Sequence, residues 1–344
     1  MASANPEKVL ITGGHELGGV GSVADALQRG FLELGIPAEV ISPSNLLSRR
    51  RELRDQRILK LLSTTAVFAA PLTRRAICIA HGIPCADVQG WRKLIGIISS
   101  FKIANASGAQ LAAVSEYTAI HLRALFNIRV DAVIRNPLKP IYLETAGNAP
   151  EQRRYITFVG RLNPAKNLHR LLPAICDLLE QDRELCACII GDGVLRKSLQ
   201  ESVKKNERVQ FLGSPNDLEV RDWLRKTKIF VSGNAVEGLG VTYLEALSQG
   251  CIVAMPASGG GIELALDRIG SNVQLLPISL ERGAVFDVLK KCLQIEISPI
   301  EMGPYRARAV AVAYLSLDAR RLSGMNNYVG DRSPHALAVG RSQN

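Results

Sequence analysis

The chain has 344 residues, 47% hydrophobic and 22% charged, and its formal net charge is +10 at pH 7. That length exceeds one ordinary hydrophobic core, so two domains of roughly 150 residues each are expected. The sequence has no apolar run of the roughly 18–20 residues that span a bilayer and no recognisable signal peptide, which argues against a membrane-spanning or secreted protein. Seven cysteines without a Cys-x-x-Cys pair indicate reduced thiols in a cytosolic protein.

The first half of the chain alternates short apolar runs with helical stretches, which predicts a parallel sheet with helices on both faces. Strands are predicted at residues 8–12, 38–42, 65–69, 76–80, 110–114 and 130–134. Helices are predicted at residues 20–34, 45–62, 91–106 and 116–126. The first strand leads into a glycine-rich turn that includes Gly18 and Gly19. A dinucleotide-binding fold is the alternative for this turn, but the pattern Gly-x-Gly-x-x-Gly is missing.

The densest positive charge lies between residues 49 and 60. This basic cluster consists of Arg49, Arg50, Arg51, Arg54, Arg57 and Lys60. A helix here would place Arg51 and Arg54 within its leucine-rich half, so it would be a poor amphipathic membrane helix. A solvated basic face is the simpler interpretation, and attraction to an anionic membrane surface or an acidic acceptor is the alternative. Nucleic acid binding is disfavoured because the cluster lacks interleaved aromatic residues.

The second half repeats the alternation after a linker. Residues 136–152 contain three prolines and no hydrophobic period, which is typical of an interdomain connection. Strands are predicted at residues 154–159, 185–190, 209–212, 229–232, 252–255 and 273–276, and a helix at residues 304–322. We therefore predict a domain at residues 1–140, a second at 141–300, a closing helix within 301–326 and a disordered tail at 327–344.

Two carboxylates stand eight residues apart, at Glu237 and Glu245, across a predicted strand, glycine turn and helix. Eight positions along such an element are a little over two helical turns, so both side chains can face one cleft. Gly238 and Gly240 allow close backbone approach to a ligand and leave amide groups unpaired at a helix N-terminus. This arrangement suits a ligand with hydroxyl groups at both ends and phosphate between them, which describes a nucleotide-sugar.

Three further motifs follow other strands of this half. Arg161 and Lys166 flank a turn after the first strand and can converge at its carboxyl end, where open α/β sheets bind ligands. A planar guanidinium and an ammonium together suit a diphosphate. Gly191-Asp192-Gly193 ends the next strand, and Gly259-Gly260-Gly261-Ile262-Glu263 closes a later one. A metal would need a carboxylate pair, and no Asp-x-Asp occurs in the chain.

These motifs, in this order and spacing, resemble the C-terminal half of family-4 retaining glycosyltransferases with the GT-B fold. The resemblance covers about residues 154–295. It implies two Rossmann-like, doubly wound domains facing each other across a cleft, with the nucleotide-sugar donor in the C-terminal domain and the acceptor mainly on the N-terminal one. It also implies a metal-independent reaction without a cofactor, in which the nucleotide-sugar is a co-substrate.

The resemblance implies a role for each matching position. Arg161 and Lys166 are expected to hold the donor diphosphate and stabilise the leaving group. Glu237 is expected to hydrogen-bond the sugar, and Glu245 to accept from the ribose hydroxyls. Backbone groups of the binding loops are expected near the sugar and phosphates at Gly18, Gly19, Gly193, Gly238, Leu239 and Gly240.

The N-terminal half resembles the family less closely. His81 follows the predicted strand 76–80, where the family has a histidine that approaches the donor sugar. The family usually has an aspartate after this histidine, and Gly82 stands there instead, which puts the local acceptor-side hydrogen bonding in doubt. A structural histidine at a strand end is the alternative for His81.

The resulting hypothesis is a retaining transferase that moves a hexose from a UDP- or GDP-sugar to a saccharide or lipid-linked glycan acceptor. It would act in the cytoplasm or peripherally on the inner face of the membrane, in cell-surface polysaccharide or glycoconjugate synthesis. The alternatives are a nucleotide-sugar epimerase or phosphorylase of the same fold, and a non-catalytic subunit that binds a partner.

Overall fold

A computed structural model describes residues 5–13, 19–85, 90–144, 153–266, 270–298 and 300–322. They form two six-stranded sheets, each with all of its strand pairs parallel. The predicted α/β class with two doubly wound sheets is confirmed. The predicted tail lies outside the described residues, and the domain boundary at residue 140 stays a prediction.

The first sheet has the strand order β2-β1-β3-β4-β5-β6. Its strands are β1 (Lys8–Thr12), β2 (Ala38–Ile41), β3 (Ile58–Ser63), β4 (Ala76–Ala80), β5 (Gln110–Ala113) and β6 (Ala132–Val133). The accompanying helices are α1 (Gly19–Glu33), α2 (Arg50–Arg54), α3 (Trp91–Ala106) and α4 (Glu116–Phe126). Strands β3 and β4 are buried on both faces, because helices cover both sides of the sheet.

The second sheet has the strand order β12-β11-β10-β7-β8-β9. Its strands are β7 (Tyr155–Val159), β8 (Cys186–Ile190), β9 (Val209–Gly213), β10 (Thr227–Val231), β11 (Ile252–Pro256) and β12 (Val273–Leu276). The helices are α5 (Leu168–Gln181), α6 (Arg196–Val203), α7 (Asp217–Lys226), α8 (Val241–Ser248), α9 (Gly261–Leu266) and α10 (Arg282–Gln294). The strand order reverses direction between β7 and β10, which is where ligands bind in such sheets.

The last described helix, α11 (Ala307–Leu322), returns to the first sheet and packs against α1. A buried ion pair fixes it there: Arg75 Nε donates to Asp318 Oδ2 at 2.9 Å. The Gln110 side chain also donates to the Leu317 carbonyl at 2.8 Å. The chain therefore begins and ends its described part on the same domain.

Residues 45–69 differ from the prediction of one helix and a following strand. The chain instead forms a 3₁₀ segment at Pro43–Arg49, the short helix α2, strand β3, and a second 3₁₀ segment at Val67–Leu72. The α2 helix ends because the Asp55 carboxylate accepts from the Arg57 amide at 2.9 Å, a local turn that competes with the helix. The leucines of β3 lack strand alternation because this strand is buried on both faces.

Lys60, which we assigned to the basic cluster, is wholly buried within β3. Its Nζ donates to the Asp55 carbonyl, and burial lowers the pKa of Lys60 to about 8. Its inclusion in a surface cluster was wrong. A single lysine among leucines is compatible with the polar face of a helix, and this is how the sequence was interpreted. In the structure the Lys60 side chain instead reaches the backbone carbonyl of Asp55.

Candidate active site

Four loops meet where strands β8, β7, β10 and β11 end, and these strands are consecutive in the second sheet. The loops begin at residues 191, 160, 232 and 257. The first sheet presents the carboxyl end of β4 to the same place. A Cβ atom built on Gly238 would lie 2.5 Å from the His81 carbonyl oxygen, so the two halves of the chain are in backbone contact here.

The loop after β7 places Lys166. The Asn163 side chain accepts from the Lys166 amide at 3.2 Å and caps one 3₁₀ turn, Pro164–Lys166. Asn167 then takes a left-handed conformation, with φ of 50°, and its side chain donates to the Gly233 carbonyl at 2.9 Å. These contacts fasten the Lys166 backbone to the loop after β10. Arg161 is exposed in the same loop, directly after Gly160.

Glu237 lies at the centre of the site. Its Oε2 accepts from Lys166 Nζ at 2.6 Å and from Asn234 Nδ2 at 2.6 Å. The Asn234 side chain is itself oriented, because its Oδ1 accepts from the Val236 amide at 3.2 Å. Within the described part of the chain, the other carboxylate oxygen of Glu237 takes no hydrogen bond. The structure thus brings together the predicted residues Lys166 and Glu237, and it adds Asn234, which the sequence analysis missed.

The turn at residues 237–240 is enclosed by backbone on two sides. The Gly260 amide donates to the Glu237 carbonyl at 2.9 Å. A Cβ atom on Gly260 would lie 1.5 Å from the Gly238 carbonyl oxygen and 3.1 Å from the Ser115 Cβ. Only residues without a side chain fit where the loop after β11, this turn and the first domain meet, which accounts for the glycines at 238 and 260.

The turn ends in the amino terminus of α8. Gly240 is its N-cap, and no side chain among the described residues caps the first turn, so backbone amides remain available for an anion. Leu239 is buried, and its carbonyl accepts from Asn136 Nδ2 at 3.0 Å. The predicted strand, glycine turn and helix opening at Val241 are therefore present.

Glu245 lies in the second turn of α8 and is only 7% exposed. Burial, and to a smaller extent the neighbouring Asp217, raises the pKa of Glu245 to about 7, and Lys139 opposes this rise. Lys139 Nζ also pairs with Asp217 Oδ2 at 2.7 Å. Among the described residues, none donates a hydrogen bond to the Glu245 carboxylate. A buried carboxylate that lacks a donor from the protein is suited to accept hydrogen bonds from the hydroxyl groups of a ligand.

His81 follows β4, and its imidazole is partly buried beside Asn136. Burial lowers the pKa of His81 to about 4, while the hydrogen bond to the Asn136 side chain raises it. The imidazole is therefore neutral near pH 7. Asn136 connects it to the second domain through the Leu239 carbonyl. Sequence analysis missed Asn136, which lies at the start of the predicted linker.

The remaining predicted binding residues are glycines. Gly193 lies against the loop after β7, because a Cβ atom there would be 2.5 Å from the Leu162 carbonyl oxygen. Gly19 begins α1, and a Cβ atom there would meet no atom within 4 Å. Gly18 lies outside the described residues.

Glu263 makes a further contact between the domains. Its Oε1 accepts from the Tyr117 amide at 2.7 Å, at the amino terminus of α4. Burial raises the pKa of Glu263, and the amides of Tyr117 and Glu116 lower it. The motif Gly259–Glu263 thus contacts both the site turn and the first domain.

The described part of the chain contains neither a cluster of metal-ligating side chains nor a membrane-spanning helix. No group of three histidine, cysteine or acidic side chains comes together there in a way that could hold a metal ion. No described helix has the length and apolar character needed to cross a membrane.

Comparison with known proteins finds a family match within the second half of the chain. The family described as Glycosyl transferases group 1 matches residues 144–270. The GPI3 subunit of the phosphatidylinositol N-acetylglucosaminyltransferase of Saccharomyces cerevisiae is 30% identical over 145 residues, which is 40% of this chain and 31% of that protein. An alpha-monoglucosyldiacylglycerol synthase of Streptococcus pneumoniae is 28% identical over 95 residues, covering 27% of this chain and 22% of that protein. The chain thus spans about a third or less of these relatives.

Solved structures extend the likeness to the whole fold. Anabaena HepE in complex with UDP and glucose has a TM-score of 0.65 at 15% identity, covering 93% of this chain and 99% of that one. WaaG, a glycosyltransferase involved in lipopolysaccharide biosynthesis, has a TM-score of 0.63 at 15% identity, covering 92% of this chain and 100% of that one. Residues 144–270 are therefore similar to the family described as Glycosyl transferases group 1, and the chain has the GT-B fold.

Proposed function

We propose that this chain is a retaining, metal-independent glycosyltransferase that moves a hexose from a UDP- or GDP-sugar to a saccharide or lipid-linked glycan acceptor. The observation that carries the proposal is the contact between Lys166 and Glu237 beside the uncapped amino terminus of α8. A cation and free amides suit the phosphates, and the adjoining carboxylate suits a sugar hydroxyl. HepE, whose fold this chain shares, was solved with UDP and glucose, which favours a UDP-sugar.

The chemistry follows from charge development. When the bond between the sugar C1 and the phosphate oxygen breaks, negative charge grows on the diphosphate and C1 becomes cation-like. Lys166 has three N–H donors and uses one on Glu237, so it can donate others to the departing phosphate. Arg161, at the rim of the same loop, adds a second cation. Such preorganised charges act mainly in the transition state and supply most of the rate enhancement.

Retention is proposed through attack on the same face from which the leaving group departs. The acceptor oxygen bonds to C1, the C1–phosphate bond breaks, and the acceptor proton passes to the departing phosphate oxygen. Glu237 is held in place by Lys166 and Asn234, and we assign it to a sugar hydroxyl rather than to C1. The neutral His81 donates or accepts one hydrogen bond at the sugar from the opposite domain.

The experiment that tests this function is a donor panel followed by a turnover assay. UDP-, GDP- and ADP-sugars are compared by thermal shift, because only a ligand that binds the folded chain raises its melting temperature. Release of the nucleoside diphosphate is then measured with and without saccharide or lipid-linked acceptors, and the anomeric configuration of the product by NMR. Stabilisation without any release would indicate a non-catalytic subunit, and an epimerised donor would indicate the epimerase.

Replacing His81 by alanine should lower turnover by about tenfold, the value of one neutral hydrogen bond, while the variant folds and binds the donor normally. Turnover, donor affinity and melting temperature are measured together. Because the pKa of His81 is lowered to about 4, the pH profile should show no histidine titration near pH 6.5. A melting temperature lowered by many degrees with unchanged specific activity would identify a structural histidine.

Nucleotide affinity should fall as the pH is lowered through about 7. The Glu245 carboxyl group has its pKa raised to about 7, and it accepts hydrogen bonds from the ribose hydroxyls best when it is charged. Because the pKa of Glu245 is raised to about 7, its carboxylate takes up a proton as the pH falls below that value. The affinity for the nucleotide then drops by up to about tenfold per pH unit. Calorimetry of the free nucleoside diphosphate across pH measures this, together with the proton released on binding.

The control for this prediction is the other carboxylate. Glu245→Gln should bind the free nucleotide weakly and lose the part of the pH dependence that Glu245 contributes. Glu237→Gln should keep both the affinity and the pH dependence, yet bind the intact donor poorly. Identical pH profiles for wild type and Glu245→Gln would show that this carboxylate is not at the ribose.

For the acceptor, we infer a saccharide or lipid-linked glycan at the membrane's inner face. Three of the similar proteins support this by name: the phosphatidylinositol and diacylglycerol enzymes act on lipids, and WaaG takes part in lipopolysaccharide synthesis. The protein would then be cytoplasmic and peripheral to the membrane, with an anionic surface as a partner.

A further inference from the structure

The structure divides the arginines between residues 49 and 57 into two groups. Arg49 pairs with Glu39 and with Glu52, and Arg57 pairs with Asp55 at 2.8 Å. Lys8 also reaches Glu52, at 3.1 Å. The acidic side chains of this stretch are therefore already engaged.

The second group, Arg50, Arg51 and Arg54, is exposed, and none of these guanidinium groups has an ion pair or hydrogen bond with any residue that the structure describes. Arg50 and Arg54 are four residues apart on α2, so they lie on one side of that helix one turn apart. Two uncompensated guanidinium groups at this spacing attract an anion, and their planar forks match phosphate oxygens.

A groove of about 220 Å³ lies between these arginines and is otherwise apolar. Its lining residues are Leu47, Arg50, Leu53, Arg54 and Leu72. Leu47 and Leu72 are 43% and 45% exposed, and Phe68, on the same 3₁₀ segment as Leu72, is 46% exposed. Large apolar side chains that remain this exposed beside unpaired cations are typical of a surface that meets both phosphate and hydrocarbon.

We propose that this groove binds the headgroup phosphate of an anionic phospholipid and holds the protein on a bilayer. The phosphate lies between Arg50 and Arg54, and Leu47, Leu72 and Phe68 enter the boundary between headgroups and acyl chains. The occupant is a bilayer lipid rather than a soluble anion, because the apolar residues would gain nothing from a free phosphate.

A groove that binds lipid would keep the protein on the surface where a lipid-linked acceptor lies. The groove lies toward the amino ends of β3 and β4, because the Leu53 carbonyl accepts from the Arg74 amide at 3.3 Å just before β4 begins, whereas His81 follows the carboxyl end of β4. The 3₁₀ segment of Leu72 packs against α3, on which Trp91 and Ile95 are also exposed. In this respect the inference deepens the proposed function and rests on it. Lipid binding itself requires no donor.

Flotation with phosphatidylcholine vesicles, with and without phosphatidylglycerol, tests the proposal at low salt and without nucleotide. Wild type should bind the anionic vesicles. The double variant Arg50→Gln with Arg54→Gln should bind about 30-fold more weakly, because it loses the attraction of two arginines to the anionic surface. The matched control is Arg49→Gln with Arg57→Gln, which removes the same charge from the paired arginines and should bind much more tightly than the first variant. Leu72→Asn should also weaken binding, and melting temperatures verify folding.

Several outcomes would contradict the proposal that the groove binds a phospholipid. Equal loss in both double variants would mean that net charge alone attracts the protein, and no binding by wild type would leave the arginines solvated. Unchanged binding of Leu72→Asn, or displacement from vesicles by dilute inorganic phosphate, would indicate a soluble-anion site. Activity on a soluble acceptor should be the same in wild type and Arg50→Gln with Arg54→Gln. An inactive wild type that still binds vesicles would refute the proposed function alone.

Discussion

Replacing Lys166 by alanine is expected to lower turnover by about 10²-fold or more, in the range found when one preorganised electrostatic group is removed from a transition state. The side chain lies 2.6 Å from Glu237 and beside the α8 amino terminus, where the departing phosphate would lie. Arg161→Ala should act in the same direction and by a similar factor. Turnover and donor affinity are measured separately, with Lys290→Ala, on the exposed surface of α10, as the matched control.

The ion pair makes a second test of the same residue possible. If Lys166 also orients Glu237, then Lys166→Ala and Glu237→Gln disturb one unit, and the double variant should lose less than the product of the two single losses. Independent roles would give losses that multiply. Near-normal turnover of Lys166→Ala would contradict the assignment of Lys166 to the donor diphosphate.

Metal removal belongs to the same argument, because protein cations are proposed to do what a metal ion does in other transferases. Turnover in the presence of EDTA should stay largely intact for wild type. A complete loss that added Mg²⁺ or Mn²⁺ restores would contradict the metal-independent mechanism, whatever the result with Lys166.

The sequence predicted the fold well because both sheets follow a repeated local pattern. A buried parallel strand is a short apolar run followed by a helix, and such runs ended where glycine-containing loops began, as at Val159 and Ile190. The pattern failed at β3, where an apolar strand with one lysine also fits a helix. Only the neighbours β1 and β4, which hydrogen-bond to the two edges of β3, decide between the two.

The site was predicted in part for a different physical reason. Residues in one loop or one turn can be placed from spacing, which is why Lys166 and Glu237 were identified. Asn136 and Leu239 are 103 positions apart in sequence, and nothing local to Asn136 indicates that its amide reaches across the domains. Asn234 was missed because a single asparagine in a loop usually stabilises only its own turn.

The close packing of Gly260 leads to the last prediction, that Gly260→Ala lowers turnover by about 10²-fold, the cost of displacing reacting groups by about 1 Å. The new Cβ would lie 1.5 Å from the Gly238 carbonyl oxygen, and neither backbone segment can rotate out of the way as a side chain can. The turn must therefore move, and Glu237 with it, because the Gly260 amide holds the Glu237 carbonyl.

The neighbouring glycine is a matched control for this change. A Cβ on Gly261 would lie 2.4 Å from the sulfur of Met255, which is the far end of a flexible side chain and can shift. Gly261→Ala should therefore keep most of its turnover, although it adds the same methyl group one position later. Turnover, donor affinity and melting temperature of the two variants are compared. Equal activities would mean that the turn at residues 237–240 tolerates displacement, and that Glu237 does not depend on the backbone packing behind it.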